Sequence, residues 1–351
     1  MEHELVSLYV VVPVASIGKL VSVSVWLCHK LMACTTSATK EVGVDKSWWY
    51  GTTTPSNNQN EIYYDVSAIP CREGTVEVTR ENSTFELSYK ILRPMSLSSR
   101  KAAPIVALHG GPSVPSDYLL PLAKVVPYRS ILFYDQLGCG LSDEPAELSA
   151  YSIENAVTDL ETVLQKLSIR RFHLYGQSFG GILAFEYLKR VAERKKSLDS
   201  VCDNEEEGCL SVILSSTPCN VSQVEKEAQT IIDALEDASL FRERHQCRTV
   251  EMPGPLKAAY DHAGTTWRGT TAIANYAAKP PHAGAERTPS ALVLRGEYDF
   301  VTAPCVTPWK DLLWTSRSVR FQTLAGCSHH GLLEQPLLYG NIVESFFAEY
   351  D

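Results

Sequence analysis

The pattern of apolar and polar positions divides this chain into short, mainly apolar runs and longer amphipathic ones. The segments "GTVEV" (74–78) and "FELSYKIL" (85–92) predict an opening hairpin with "REN" at its turn. Six further runs are mainly apolar: "PIVALHG" (104–110), "SILFYDQ" (130–136), "RFHLYGQ" (171–177), "LSVILSS" (210–216), "SALVLRGEYD" (290–299) and "VRFQTLAG" (319–326). Strands covered on both faces read this way. Between them, "SIENAVTDLETVLQKL" (152–167) sets Ile153, Val157, Leu160, Val163, Leu164 and Leu167 on one helical stripe. A helix is predicted directly after Ser178, in "GGILAFEYLKRVAERKK", and another closes the chain in "NIVESFFAEY". Strands alternating with helices imply a mostly parallel sheet with helices on both faces.

One stretch breaks the alternation. From Pro218 to Pro289 the chain is at first helical and polar, then carries proline and glycine without a clear strand. Ile231, Ile232, Leu235 and Leu240 give the helical part a face to bury. An insertion between two late strands stands over their carboxyl ends, where open α/β sheets bind ligands. The expected division is therefore an extension over 1–45, a core over 46–217, a cap over 218–289 and the rest of the core over 290–351.

The extension carries apolar runs, "LVSLYVVVPVASIG" (5–18) and "LVSVSVWLC" (20–28), interrupted by Lys19. Glu2 and Glu4 stand where a secretory signal has positive charge, and Pro13 weakens a spanning helix. A signal or anchor, an organelle-targeting segment, and residues upstream of a start at Met32 all fit, with the domain proper beginning near Lys46. The last reading gives a cytoplasmic protein, and a membrane becomes a partner only if the apolar segment is retained.

Composition narrows the function. The 351 residues are 44% hydrophobic and 21% charged, with a formal net charge of -9, which argues against nucleic acid as the main partner. The ten cysteines are scattered singly, without C-x-x-C or zinc-type Cys/His spacing. Most are expected as buried thiols, and no metal or other cofactor is implied. Cys202 and Cys209 flank the acidic run "DNEEEG", which reads as a solvated loop. Asn82 and Asn220 begin short glycosylation-type tripeptides; matches this short are common by chance and place nothing outside the cell.

The chemistry concentrates around Gly176-Gln177-Ser178-Phe179-Gly180. Three glycines within six residues are unfavourable at a helix start, but they suit the G-x-S-x-G turn that holds a serine hydroxyl open between strand and helix. A serine nucleophile needs a base, and the base needs an acidic partner. In this type of fold the order is Ser, acid, His. "RGEYDFV" ends an apolar strand with Glu297 and Asp299, and "AGCSHHGLLEQP" follows the final strand with His329 and His330. The spacing alone leaves both choices open. Oxyanion donors are expected from the N–H of Phe179, directly after the serine, and from the glycines of "HGGPS" (109–113).

Together, "LHGGPS", "YDQLGCGLSDEP", "YGQSFGGILAFEYL", "FRERHQCR", "GEYDFVT" and "CSHHGLLEQP" resemble the proline iminopeptidase (prolyl aminopeptidase) family of α/β-hydrolases, in the branch that includes the tricorn-interacting aminopeptidase. The resemblance runs from about Tyr64 to the end of the chain. It implies an α/β-hydrolase fold with a mainly helical cap, and release of an N-terminal residue, preferentially proline, from a peptide or small amide. Transferred by position, it makes Ser178 the nucleophile, Asp299 the acid and His329 the base, with Gly111 and Phe179 as the oxyanion N–H groups. It also places Glu236 where a cap carboxylate holds the substrate's amine. Glu225, Glu227, Asp233, Asp237 and Glu243 are left as solvated helix residues. Departures are Ser113 for glycine, Phe179 for tryptophan, and "RGTTAIA" where the family carries a second carboxylate. They put strictness for proline in question and leave an esterase or amidase without a free-amine requirement as the alternative.

Overall fold

Alternate residues of the buried strands face opposite sides of one sheet, and this builds two apolar layers. The computed structural model describes residues 57–81, 83–93, 102–194 and 208–351. The extension over 1–45, the start near Lys46, Asn82 and Cys202 lie outside the described residues. Among those described, β1 (Cys71–Arg80), β2 (Ser83–Leu92), β3 (Ile105–Leu108), β4 (Ile131–Tyr134), β5 (Arg171–Gln177), β6 (Gly208–Ser215), β7 (Ser290–Gly296) and β8 (Val319–Leu324) form a single sheet. Its order is β1-β2-β4-β3-β5-β6-β7-β8. β1 and β2 pair as an antiparallel hairpin, β2 pairs antiparallel with β4, and the remaining neighbours are parallel. This is the mostly parallel sheet with helices on both faces that the alternation of apolar runs and amphipathic segments implies.

The longer helices are α1 (Asn57–Tyr64), α2 (Ile153–Lys166), α3 (Phe179–Glu193), α4 (Val221–Ala234), α5 (Gly254–Asp261) and α6 (Pro336–Ala348). On one face, Val106, Leu108, Leu174, Val212, Leu214 and Val293 pack with Val157, Leu160 and Val163 of α2 and with Ile182, Leu183 and Phe185 of α3. On the other, Ile105, Ala107, Ile131, Phe133, Tyr175, Ile213 and Leu292 pack with Tyr339, Val343, Phe346 and Phe347 of α6. This is the period-2 alternation of a pleated strand read by helices on both sides. The closing helix begins earlier than "NIVESFFAEY" implies, because Pro336 serves its first turn, where a missing N–H costs nothing.

Between β6 and β7 the chain leaves the sheet. α4 is capped by Asn220, whose Oδ1 accepts the Gln223 N–H at 3.1 Å. Val221, Val224, Ala228 and Ile232 are buried along one side of α4, and Ala228 and Ile232 cluster with Phe241. Two backbone hydrogen bonds tie the later part of this segment to the loop after β3: Gly264 N–H to Ser113 O at 3.0 Å, and Gly269 N–H to Pro112 O at 3.3 Å. None of the helices among the described residues is long and apolar enough to cross a membrane.

Candidate active site

β5 delivers Ser178 to the carboxyl edge of the sheet in a sharp turn. Ser178 has φ 54° and ψ −118°, a backbone conformation that non-glycine residues rarely adopt and that costs energy unless its surroundings hold it. The holding contacts are visible. The Ser178 N–H donates to Ser215 O at 2.8 Å, and the Ser178 carbonyl accepts the Gly181 N–H at 3.0 Å. The glycines are there because neighbouring atoms occupy the space a Cβ would need. A Cβ on Gly180 would run into the carbonyl of Leu108, one on Gly181 into the Thr217 side chain, and one on Gly176 into the backbone of Gly180 and Gly181. Phe179 heads α3, so its amide is among the first N–H groups of a helix, at the positive end of the helix dipole.

The acid and the histidine come from the ends of the next two strands. Asp299, 2% exposed, follows β7. Its Oδ1 accepts the Val301 N–H at 2.8 Å and lies 2.9 Å from His329 Nδ1, in the loop after β8. Glu297, the other carboxylate of "GEYD", is exposed and accepts the Gly326 N–H at 2.9 Å. His329 lies against Phe300 in a tilted contact, with ring centroids 4.3 Å apart and planes 32° from parallel. His330 borders the same cavity as His329, but its ring meets that of Tyr118 edge-on at 5.2 Å rather than a carboxylate. Burial, with neighbouring His329 adding to it, pushes the His330 imidazole well below the usual histidine range.

Ser178, Phe179, Gly111 and His329 border one cavity of about 540 Å³. Gly111 has φ +116°, and a Cβ there would lie 2.6 Å from the Ser113 N, so the loop after β3 is closed to any side chain at this position. The walls are mainly apolar, with Val114, Ile182, Val221, Val224, Met252 and Phe300 among them. The segment between β6 and β7 supplies one side. Ser178 makes no hydrogen bond to His329 among the described residues; such contacts in unliganded sites commonly tighten only with substrate bound.

Glu236 is not brought to this cavity. Its side chain is exposed and forms a two-pronged ion pair with Arg244, 3.0 Å at Oε2, and this pairing holds its carboxyl below the usual range. The turn over Arg242–Gln246 folds Arg244 back onto it. Glu225 borders the cavity instead, half-buried, with its Oε1 wholly buried and without a hydrogen-bond partner among the described residues. Its reading as a solvated residue is therefore corrected. The signal was present in the sequence: Glu225 stands four residues after Val221 and three before Ala228, on the buried stripe of α4.

Comparison with known proteins agrees with this fold. The family model described as the Alpha/beta hydrolase family matches residues 105–339. A relative from Saccharolobus solfataricus, named proline iminopeptidase, is 28% identical over 277 residues, 70% of this chain and 84% of that protein. A proline iminopeptidase of Lactobacillus acidophilus is 36% identical over 179 residues, covering 50% of this chain and 55% of the relative. In fold, the chain resembles the crystal structure of a Mycobacterium smegmatis proline iminopeptidase, with a TM-score of 0.64 at 20% identity over 79% of this chain and 98% of the other.

Proposed function

Because this chain belongs to the alpha/beta hydrolase family, we propose that it is a serine aminopeptidase that releases an N-terminal residue, preferentially proline, from peptides or small amides through an acyl-enzyme. The observation that carries hydrolysis is a serine held at a strained strand-to-helix turn, sharing one cavity with a histidine that is hydrogen-bonded to a buried aspartate. In this reading His329 accepts the Ser178 proton as Oγ attacks the substrate carbonyl. Asp299, on Nδ1, fixes the tautomer that leaves Nε2 free to accept and then stabilises the imidazolium. The N–H groups of Gly111 and Phe179 receive the developing oxyanion. His329 returns its proton to the departing amine, and water repeats the sequence to release the acyl group.

The free-amine requirement rests on Glu225 and on the names carried by the relatives. A carboxylate oxygen buried without a partner is costly until a cation or donor meets it. A substrate ammonium entering a mainly apolar cavity is such a cation. Glu236, already neutralised by Arg244, has no comparable demand. Its absence from the cavity is the observation that favours the second reading, an esterase or amidase indifferent to the amine.

Turnover of prolyl, alanyl and N-acetyl-prolyl chromogenic amides separates the two. A charge-assisted hydrogen bond is worth about 1.5–3 kcal/mol. Glu225→Gln should therefore lower kcat/KM for the free-amine substrates roughly ten- to a hundred-fold and leave the acetylated one nearly unchanged, while Glu236→Gln moves neither. Preference of the wild type for the acetylated amide, or an unmoved ratio in Glu225→Gln, would give the site to the esterase or amidase.

A further inference from the structure

We propose that the Tyr118 hydroxyl and the Gln177 amide are positioning groups for the reaction at Ser178, joining the oxyanion loop, the nucleophile turn and the histidine loop in one hydrogen-bonded chain. The inference rests on the reading of Ser178 and His329 as nucleophile and base. Tyr118 lies in the short helical turn Ser116–Leu119 and is 2% exposed. Its hydroxyl accepts the Gly110 N–H at 2.7 Å and donates to Gln177 Oε1 at 2.7 Å. Gln177 Nε2 in turn donates to the His329 carbonyl at 3.3 Å. A tyrosine hydroxyl has one proton, so accepting from Gly110 directs that proton to Gln177 and fixes which end of the amide faces each loop.

Each end of this chain adjoins a reacting group. Gly110 precedes Gly111, Gln177 precedes Ser178, and the third terminus is the backbone of His329 itself. The loops are already in contact: a Cβ on Gly110 would lie 2.6 Å from Gln177 Oε1 and 3.1 Å from Ser178 Cβ. No side chain other than Tyr118 is hydrogen-bonded to the Gly110 N–H among the described residues. Removing the hydroxyl leaves a buried N–H and a buried amide oxygen unpaired together, and relaxation of either displaces a donor or the nucleophile. A misplacement of about 1 Å in an active site can cost on the order of 10²-fold in rate. The Gln177 link also explains why its side chain, 4% exposed, is polar at a position surrounded by buried strand residues.

The test uses the full chain with Tyr118→Phe, Gln177→Met and the double variant, beside Ser178→Ala. Measured quantities are kcat and KM on the best chromogenic amide, the second-order rate of inactivation by a fluorophosphonate serine probe, and Tm. Tyr118→Phe should lower kcat and the inactivation rate by at least about tenfold while KM stays within about threefold. The double variant should be no more than about threefold worse than the poorer single one, because residues acting as one unit do not multiply their losses. If Tyr118→Phe does not fold, Gln177→Met carries the same expectation. Rates within threefold of wild type in the folded single variants, losses that multiply, or a loss carried by KM would overturn the inference. Activity surviving in Ser178→Ala would instead overturn the underlying reading, so the two failures are told apart.

Discussion

Two carboxylates and two histidines stand close together in sequence, and packing sorts them. Asp299 is buried with its Oδ1 against His329, whereas Glu297 turns outward to the Gly326 amide. His329 lies against Phe300, whereas His330 is wedged against the Tyr118 ring and kept neutral by burial. Under the proposed roles the four substitutions should divide sharply. Asp299→Asn and His329→Ala should each lower kcat by about 10⁴-fold, the scale seen when a triad loses its acid or base. Glu297→Gln should stay within a few-fold of wild type, and His330→Ala should act through lost packing, lowering Tm more than kcat. Steady-state kinetics on the four proteins, each checked for folding, decides the assignment. A greater kcat loss in His330→Ala than in His329→Ala would exchange their roles.

At the scale of elements, the junction of β5 and α3 leaves no room for a Cβ at its glycines. A methyl group on Gly180 meets the Leu108 carbonyl, part of a paired strand that cannot move aside, so Gly180→Ala should destabilise by about 1–3 kcal/mol or more. Gly254, at the start of α5, has open space around its Cβ position, and Gly254→Ala should be neutral or stabilise by up to about 1 kcal/mol. Urea unfolding of the pair measures both, and a Gly180→Ala value within experimental error of wild type would contradict the close approach. The same junction was legible in the sequence because its steric demand leaves a glycine signature. The central strands β3 to β7 were legible because double coverage makes them mostly apolar; β8, expected as one of them, is an edge strand with Arg320 to Thr323 exposed. The placements of Glu225 and Glu236 were not legible, since a charge on a helix suggests solvent until the neighbouring element is placed. What buries Glu225 is a cavity wall made by residues distant in sequence, and what neutralises Glu236 is a turn that carries Arg244 back to it. The Tyr118–Gln177 link spans 59 residues and leaves no local pattern at all.

For the whole molecule, stability against pH is set by buried groups that pull in opposite directions. Burial pushes the His173 imidazole down to about 4, against the opposing hydrogen bond it donates to Asp351. Its unfolded counterpart titrates near 6.5, so the unfolded chain takes up the proton first. Stability from neutral His173 is whole above pH 6.5 and is lost as pH falls toward 4. Burial raises Asp351, but hydrogen bonds from Arg129, the Ala103 N–H and His173 outweigh it and hold the carboxyl at about 2. Its contribution is whole above about 3.8 and disappears as pH falls to 2. Glu334 runs the other way. Burial lifts it to about 7 although its two oxygens accept the Ser328 N–H and hydroxyl at 2.6 and 2.7 Å. Its folded pKa exceeds the unfolded value of 4.5, so its contribution is whole below 4.5 and is lost as pH rises through 7. Glutamine at this position imitates the protonated acid and does not titrate. The stability of Glu334→Gln relative to wild type should therefore increase between pH 5 and pH 8, by about 2–3 kcal/mol at 1.36 kcal/mol per pKa unit. Asp351→Asn should instead be at its greatest disadvantage above pH 4 and approach wild type toward pH 2. Urea unfolding at pH 5, 6, 7 and 8 reads the first trend as a slope, so any constant cost of the substitution cancels. A flat difference across that range would mean that Glu334 is ionised in the folded protein at no cost, with the Ser328 hydrogen bonds fully offsetting its burial.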